Sequence, residues 1–260
     1  THATLIGCGA FSIGDVGIVA GSTMPIQMVV DRAIIDPNQQ IWAGVFSIPE
    51  HWVIESNAGP TGSVYSWFLD TFLRKTKEAE RHAEFEELVY SQPPGAGEVY
   101  ADLGTHIMDA PNYTQLPQTR FIFPPVSYGI GSKVTLGSFA RATIENLAYA
   151  VRANVEQIQN VANRSAKKFF LVGGLSRSRT FTQILADILN TPIYVTVPEG
   201  CALAGFAAAK HASEEITYEE AVSQIINPKQ VTSPNEEVLA QYESNFIRWK
   251  EIYAESRVDR

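Results

Sequence analysis

The chain has 260 residues, of which 45% are hydrophobic and 18% charged, and a formal net charge of -8. That length is enough to bury a real core, and the composition excludes a disordered chain. The acidic balance, with no Lys/Arg run interleaved with aromatics, argues against a nucleic-acid partner, and no apolar run approaches the roughly 20 residues of a membrane-spanning helix.

The first predicted elements are strands. Val16–Ala20 and Ile26–Val30 are short apolar runs on either side of Gly21-Ser22-Thr23, the pattern of adjacent antiparallel strands. Asp36-Pro37-Asn38 is a turn signal, and Ile41–Ile48 reads as a further strand, so the opening looks like a small sheet of hairpins. Tyr65, Phe68, Leu69 and Phe72 then fall at helical spacing after a Gly59-Pro60-Thr61-Gly62 breaker. The charged stretch from Arg74 to Glu87 reads as a solvated helix. Residues 92–128, rich in Pro, Gly and Tyr, read as irregular structure with short strands such as Arg120–Phe123.

Ser138–Asn163 is the clearest helix, with Ile144, Leu147, Val151, Val155, Ile158 and Ala162 on one face. Arg141, Glu145, Arg152 and Glu156 fall on the other, which predicts an amphipathic helix lying on a sheet. Phe169–Val172 is a continuous apolar run, as expected of a strand buried on both faces. After Gly173-Gly174 the pattern predicts a helix over Thr180–Leu189, a strand over Ile193–Val197, a turn at Pro198-Glu199 and an Ala-rich helix over Cys201–Lys210. Alternation of this kind implies parallel strands joined by crossovers. Residues 214–260 read as a helical tail, with Tyr242, Phe246, Trp249 and Tyr253 as its packing stripe.

Chemistry has few places to reside. Cys8 and Cys201 make no disulfide framework and no Cys-x-x-Cys pair, which fits a reducing, cytoplasmic setting. His2, His51, His82, His106 and His211 never pair at i,i+4, so no metal site is expected. No G-x-x-x-x-G-K-[ST] loop occurs, and in Gly7-Cys8-Gly9 the third glycine of a dinucleotide fingerprint falls too late, at Gly14. Two glycine turns remain. Gly21-Ser22-Thr23 offers backbone N–H groups and hydroxyls to a phosphate, or is an ordinary hairpin turn. Gly173-Gly174 leaves bare backbone at a strand's carboxyl end, where open α/β sheets bind ligands and where the next helix's N-terminus favours an anion; otherwise it is only a tight strand-to-helix turn. Asp15 and Asp187 read as a turn residue and a structural residue, and neither is assigned as a base.

The run Phe170-Leu171-Val172-Gly173-Gly174-Leu175-Ser176-Arg177-Ser178, followed by Gln183-Ile184-Leu185-Ala186-Asp187, resembles the adenosine motif of FGGY carbohydrate kinases. Glu199–Ala209 is similar to the Ala/Gly-rich helix that follows it in that family, Ala142–Gln157 to the helix under the adenine site, and Tyr242–Tyr253 to the common ending. Val19-Ala20-Gly21-Ser22-Thr23 resembles the second phosphate motif, whose usual order is Gly-Thr-Ser; which of Ser22 and Thr23 meets a phosphate is left open. The middle of the chain is similar to the xylulokinase and autoinducer-kinase branches.

The resemblance implies an α/β, ribonuclease H-like (actin-like ATPase) fold, this chain being the C-terminal lobe, a mixed sheet flanked by helices. It implies phosphorylation of a carbohydrate hydroxyl from ATP with Mg2+, the metal held mainly by an N-terminal lobe expected upstream of Thr1. Adenosine is expected at Gly173, Gly174, Leu175 and Ser178, and phosphates at Gly21, Ser22 and Thr23. Thr1-His2-Ala3-Thr4 looks like the sequence right after the family's catalytic aspartate. The base is then expected just before Thr1, with Thr1 and His2 at the sugar end of the cleft, although His2 also reads as a surface histidine near a terminus. The implied partners are a small sugar, the chain's own N-terminal lobe and, as an open possibility, a second copy in a homodimer. The alternative is a nucleotide-switch ATPase of the actin-like or chaperone-like kind, without sugar kinase activity.

Overall fold

A computed structural model of the chain describes residues 2–112, 118–125, 134–196, 199–214, 216–225 and 230–257. Thr1, Val197, Pro198 and parts of the 92–128 segment lie outside the described residues. The elements run α1 (His2–Gly7), β1 (Asp15–Val19), β2 (Pro25–Val30), β3 (Trp42–Val45), β4 (Trp52–Asn57), α2 (Thr61–Phe72), α3 (Glu78–Tyr90), β5 (Tyr100–Asp102), β6 (Arg120–Ile122), α4 (Leu136–Ala162), β7 (Lys168–Val172), α5 (Arg179–Leu189), β8 (Ile193–Val195), α6 (Gly200–Glu214), α7 (Tyr218–Ile225), β9 (Gln230–Thr232) and α8 (Leu239–Glu255).

Among the described residues one mixed sheet of seven strands, ordered β3-β4-β2-β1-β7-β8-β9, carries the fold, and β5 and β6 form a small second ladder. The strands of the predicted alternation, β7 and β8, pair in parallel, and β1 joins β7 as a further parallel strand. The opening strands do not stand apart as a hairpin sheet; β2, β4 and β3 extend the same sheet from β1 in antiparallel steps. Period-2 alternation sorts the side chains. Val16, Ile18, Ile26, Met28, Ile54 and Leu171 face a core closed by α4 and α5. Val29, Val53, Phe170 and Val172 face a second core with Leu5 of α1, Ala204 and Ala207 of α6, and Ala221 and Val222 of α7.

Among the described residues three elements escape sequence reading: α1, β4 and β9, the last a strand within the stretch read as a helical tail. Helix α1 is six residues long, too short for a periodic signal, and forms against the sheet. The β9 strand is three residues long and pairs antiparallel with β8.

Two expectations are corrected by packing. The charged helix α3 is not simply solvated: Phe85 and Val89 are buried in the main core. On α4, Arg141 and Glu145 are buried rather than facing water. Arg141 Nε donates to Glu145 Oε1 at 2.8 Å and its Nη2 to the Tyr242 hydroxyl at 2.6 Å. That hydroxyl donates to Glu145 Oε1 at 3.1 Å, and Gly95 N donates to the same oxygen at 3.0 Å. The aromatic stripe of α8, which buries Tyr242, Phe246, Trp249 and Ile252, covers a face the period alone assigns to solvent.

The cysteines sit in opposite environments. Cys8 is fully buried and burial pushes its thiol up to about 12, whereas Cys201 is exposed. Only a thiolate alkylates readily. Iodoacetamide at neutral pH is expected to modify Cys201 alone in the folded chain, and both thiols in denaturant; peptide mass mapping reads the result, and early labelling of Cys8 would contradict this core.

Candidate functional site

The parallel pairing of β1 with β7 sets Val19 beside Val172, so the two glycine turns leave the sheet at the same edge. They are stitched together there. Ala20 N donates to Val172 O at 2.7 Å, and Leu175 N donates to Ala20 O at 3.3 Å. Gly173 has φ +104, and a Cβ on it would lie 2.6 Å from Ala20 O. Both facts demand glycine at that position. The start of α2 closes on the first turn, with Gly62 N donating to Ser22 O at 3.1 Å.

These turns form one end of a cleft of about 1240 Å³. Gly21 and Ser22 line it from the first turn and Gly174, Leu175 and Ser178 from the second. Helix α2 contributes Tyr65, Trp67 and Asp70, and α3 contributes His82, Ala83 and Glu86. Five of the residues expected to hold a nucleotide therefore converge. Gly173 stands behind the wall as a packing glycine, and Thr23 is exposed on the turn without lining the cleft. His2 is on the other side of the sheet, its ring edge-on to Phe46 at 6.1 Å within the second core's surroundings. Thr1 lies outside the described residues. Helix α4 does not line the cleft; it packs beneath α2, α3 and α5, which do.

The turn and the far wall differ in chemistry. Gly21 N is consumed within its own turn, bonding Val19 O at 3.0 Å and Thr23 O at 3.1 Å. Ser22 and Thr23 N–H donate no hydrogen bond among the described residues, leaving two donors at the exposed tip. A Cβ on Gly174 would meet nothing within 4 Å, so the fold itself does not require glycine there; the bare backbone opens onto the cleft.

Ser178 is the N-cap of α5, its hydroxyl accepting from Phe181 N at 3.0 Å. The same hydroxyl donates to Glu86 of α3. Glu86 also accepts from Thr180 N at 3.1 Å and from the Thr180 hydroxyl. The N-terminus of α5, expected to favour a bound anion, thus already holds a carboxylate from the chain itself.

The α2–α3 wall was invisible to sequence reading. Tyr65 and His82 stack at 5.6 Å between ring centroids and share a 2.9 Å hydrogen bond. Burial raises the Tyr65 phenol well above its usual range, so it remains protonated at neutral pH. Asp70 pairs with Arg81 at 2.8 Å. No spacing rule links helices that meet only in three dimensions, and the Pro60-Thr61-Gly62 start of α2 is the one sequence signal nearby.

Among the described residues no group of three or more His, Cys, Asp or Glu side chains is arranged to hold a metal ion. The two cleft carboxylates are engaged, Asp70 by Arg81 and Glu86 by α5. Asp15 accepts from Ser12 N at 3.0 Å and Asp187 from Asn235 N at 2.8 Å and Gln183 Nε2 at 2.8 Å, roles in turn and loop geometry. Burial raises both carboxyls.

The profile of the FGGY family of carbohydrate kinases, C-terminal domain, matches residues 18–213. An autoinducer-2 kinase of Salmonella choleraesuis (strain SC-B67) is 26% identical over 271 residues, covering 97% of this chain and 50% of that protein. An autoinducer-2 kinase of Escherichia coli (strain K12) is 26% identical over 262 residues, covering 95% and 47%. In structure, a xylulose kinase from Rhodospirillum rubrum superposes with a TM-score of 0.82 at 21% identity, covering 97% of this chain and 49% of that one. A Plasmodium falciparum glycerol kinase with ADP gives 0.76 at 16%, covering 97% and 49%. The chain spans about half the length of the curated relatives it matches. With its α/β fold, a mixed sheet flanked by helices, and three quarters of its length inside the profile, this chain belongs to the FGGY family of carbohydrate kinases, in the part that forms that family's C-terminal domain.

Proposed function

We propose that this chain is the nucleotide-binding lobe of an ATP-dependent kinase for a sugar or polyol hydroxyl, built on a ribonuclease H-like, actin-like ATPase fold. One observation carries the reading: the cleft at the shared carboxyl edge of β1 and β7 is walled by a backbone left bare at Gly174, where the fold has no need of glycine. An adenosine lies against Gly174 and Leu175, and the phosphates reach the free N–H donors and hydroxyls of Ser22 and Thr23. The engaged carboxylates of the cleft leave Mg2+ to a partner lobe, which also supplies the base aspartate ahead of Thr1 and most sugar contacts. Transfer through a loose transition state then depends on positioning and on lobe closure that excludes water.

A coupled ADP-release assay tests this on the protein carrying the chain together with its upstream lobe. With Mg-ATP and a panel of D-xylulose, D-gluconate and glycerol, one acceptor is expected to raise turnover at least about tenfold over the sugar-free rate, since closure suppresses hydrolysis. The 260-residue chain alone is expected to transfer no phosphate. Phosphorylation by that chain alone would overturn the placement of the base, and brisk turnover indifferent to every sugar would favour a nucleotide switch instead.

A further inference from the structure

The two ends of the cleft differ in which hydrogen-bond donors they leave free, and the α5 end also carries the exposed side chains of Arg177 and Arg179. At the turn, Ser22 and Thr23 N–H are free donors. At the α5 end, the helix N-terminus is an anion position by geometry and dipole. Two of its donors are nevertheless spoken for: Phe181 N by Ser178, and Thr180 N by Glu86. Glu86 comes from α3, more than 90 residues away in sequence, and lines the cleft. Its carboxylate receives three hydrogen bonds, from the Ser178 hydroxyl, Thr180 N and the Thr180 hydroxyl. Ser178 ends the loop that carries Gly174 and Leu175.

We infer that Glu86 is a positioning residue that sets the direction of the nucleotide in this cleft. By filling the anion position of α5 with its own negative charge, it reserves that end for the uncharged nucleoside and sends the phosphates to the Ser22–Thr23 tip. By binding Ser178 and Thr180, it also fixes the loop on which the nucleoside lies. A phosphate brought to the α5 end meets the Glu86 carboxylate at short range and no free N–H donor at Thr180 or Phe181; the guanidiniums of Arg177 and Arg179 at this end are exposed and screened by solvent, Arg177 facing Glu199 at 4.0 Å, and offset that only weakly. The inference rests on the nucleotide reading above.

The test titrates the protein carrying this chain and its upstream lobe with adenosine and with ADP, comparing wild type with Glu86→Gln and Glu86→Ala. Glu86→Gln keeps the side chain's length and removes its charge. It is expected to weaken adenosine and ADP by the same factor, at least about fivefold, because weakened hydrogen bonds loosen the nucleoside end only. Glu86→Ala empties the anion position. Inorganic phosphate at millimolar concentration is then expected to compete with adenosine in this variant and not in wild type, a gain that lost helix capping alone does not produce. The inference is overturned if Glu86→Gln strengthens ADP relative to adenosine, which would put the phosphates at this end, or if neither ligand changes by more than about twofold. Where Glu86→Ala fails to fold, the Glu86→Gln comparison decides by itself. A wild-type protein that binds neither adenosine nor ADP sinks the nucleotide reading and this inference with it; wild-type binding with no variant effect sinks the inference alone.

Discussion

Gly174→Leu is expected to leave the chain about as stable as wild type and to abolish the nucleotide binding proposed for this cleft. A Cβ at residue 174 meets nothing within 4 Å, so a side chain there starts into open space and displaces no packed backbone. The same side chain fills the bed proposed for the base or ribose. Filling that bed is expected to weaken ADP by about 100-fold or more, equivalent to about 2.7 kcal/mol. Its neighbour behaves in the opposite way. Gly173→Ala forces an L-residue to φ +104 with its Cβ 2.6 Å from Ala20 O. Strain of that kind costs about 1–3 kcal/mol before the clash is counted, and about 2–4 °C of melting temperature goes with each kcal/mol in a chain of this size. Thermal melts of both variants, with ADP titrations of the protein carrying this chain, separate the cases. Equal destabilisation by both substitutions would mean that Gly174 serves the fold and would remove the main support for a nucleotide in this cleft.

Glu145→Ala is expected to cost about 3–5 kcal/mol of folding stability, because it strips the buried Arg141 of its counter-charge. The remaining partners of Arg141 are neutral: the Tyr242 hydroxyl at 2.6 Å, Gln92 O at 2.7 Å and Val89 O at 3.3 Å. The double substitution Arg141→Met with Glu145→Leu is expected to cost much less than the single one, since no unpaired charge stays in the core. Urea unfolding of the 260-residue chain reads both. A loss below about 1 kcal/mol for Glu145→Ala would show that water reaches Arg141, and that α8 does not seal α4 as the structure has it.

The legible parts of the sequence share a physical property: each is encoded by neighbours in the chain. Phe169–Val172 announces a strand buried on both sides because every residue in the run is apolar, and β7 lies between β1 and β8. The stripe of Tyr242, Phe246 and Trp249 announces a packed helix face because it repeats with the helical period, and all three are buried. The glycine turns are legible for the same reason, since an open backbone is a property of the residue itself.

What was missed or misjudged depends on distant partners. Arg141 and Glu145 read as solvent-facing until α8 and the turn at Gly95 cover them. Glu86 reads as one charge among many on α3 until that helix docks on the start of α5.

By itself, the sequence determined the order of most strands and helices, the two bare-backbone turns and the kinship those turns carry. These are local consequences of apolar period and of glycine's missing side chain. Tertiary structure alone decided that the turns meet at one sheet edge, that α2 and α3 wall the cleft beside them, and that a carboxylate from α3 occupies the start of α5. The physical reason is that parallel pairing and helix docking join residues whose separation along the chain leaves no periodic trace.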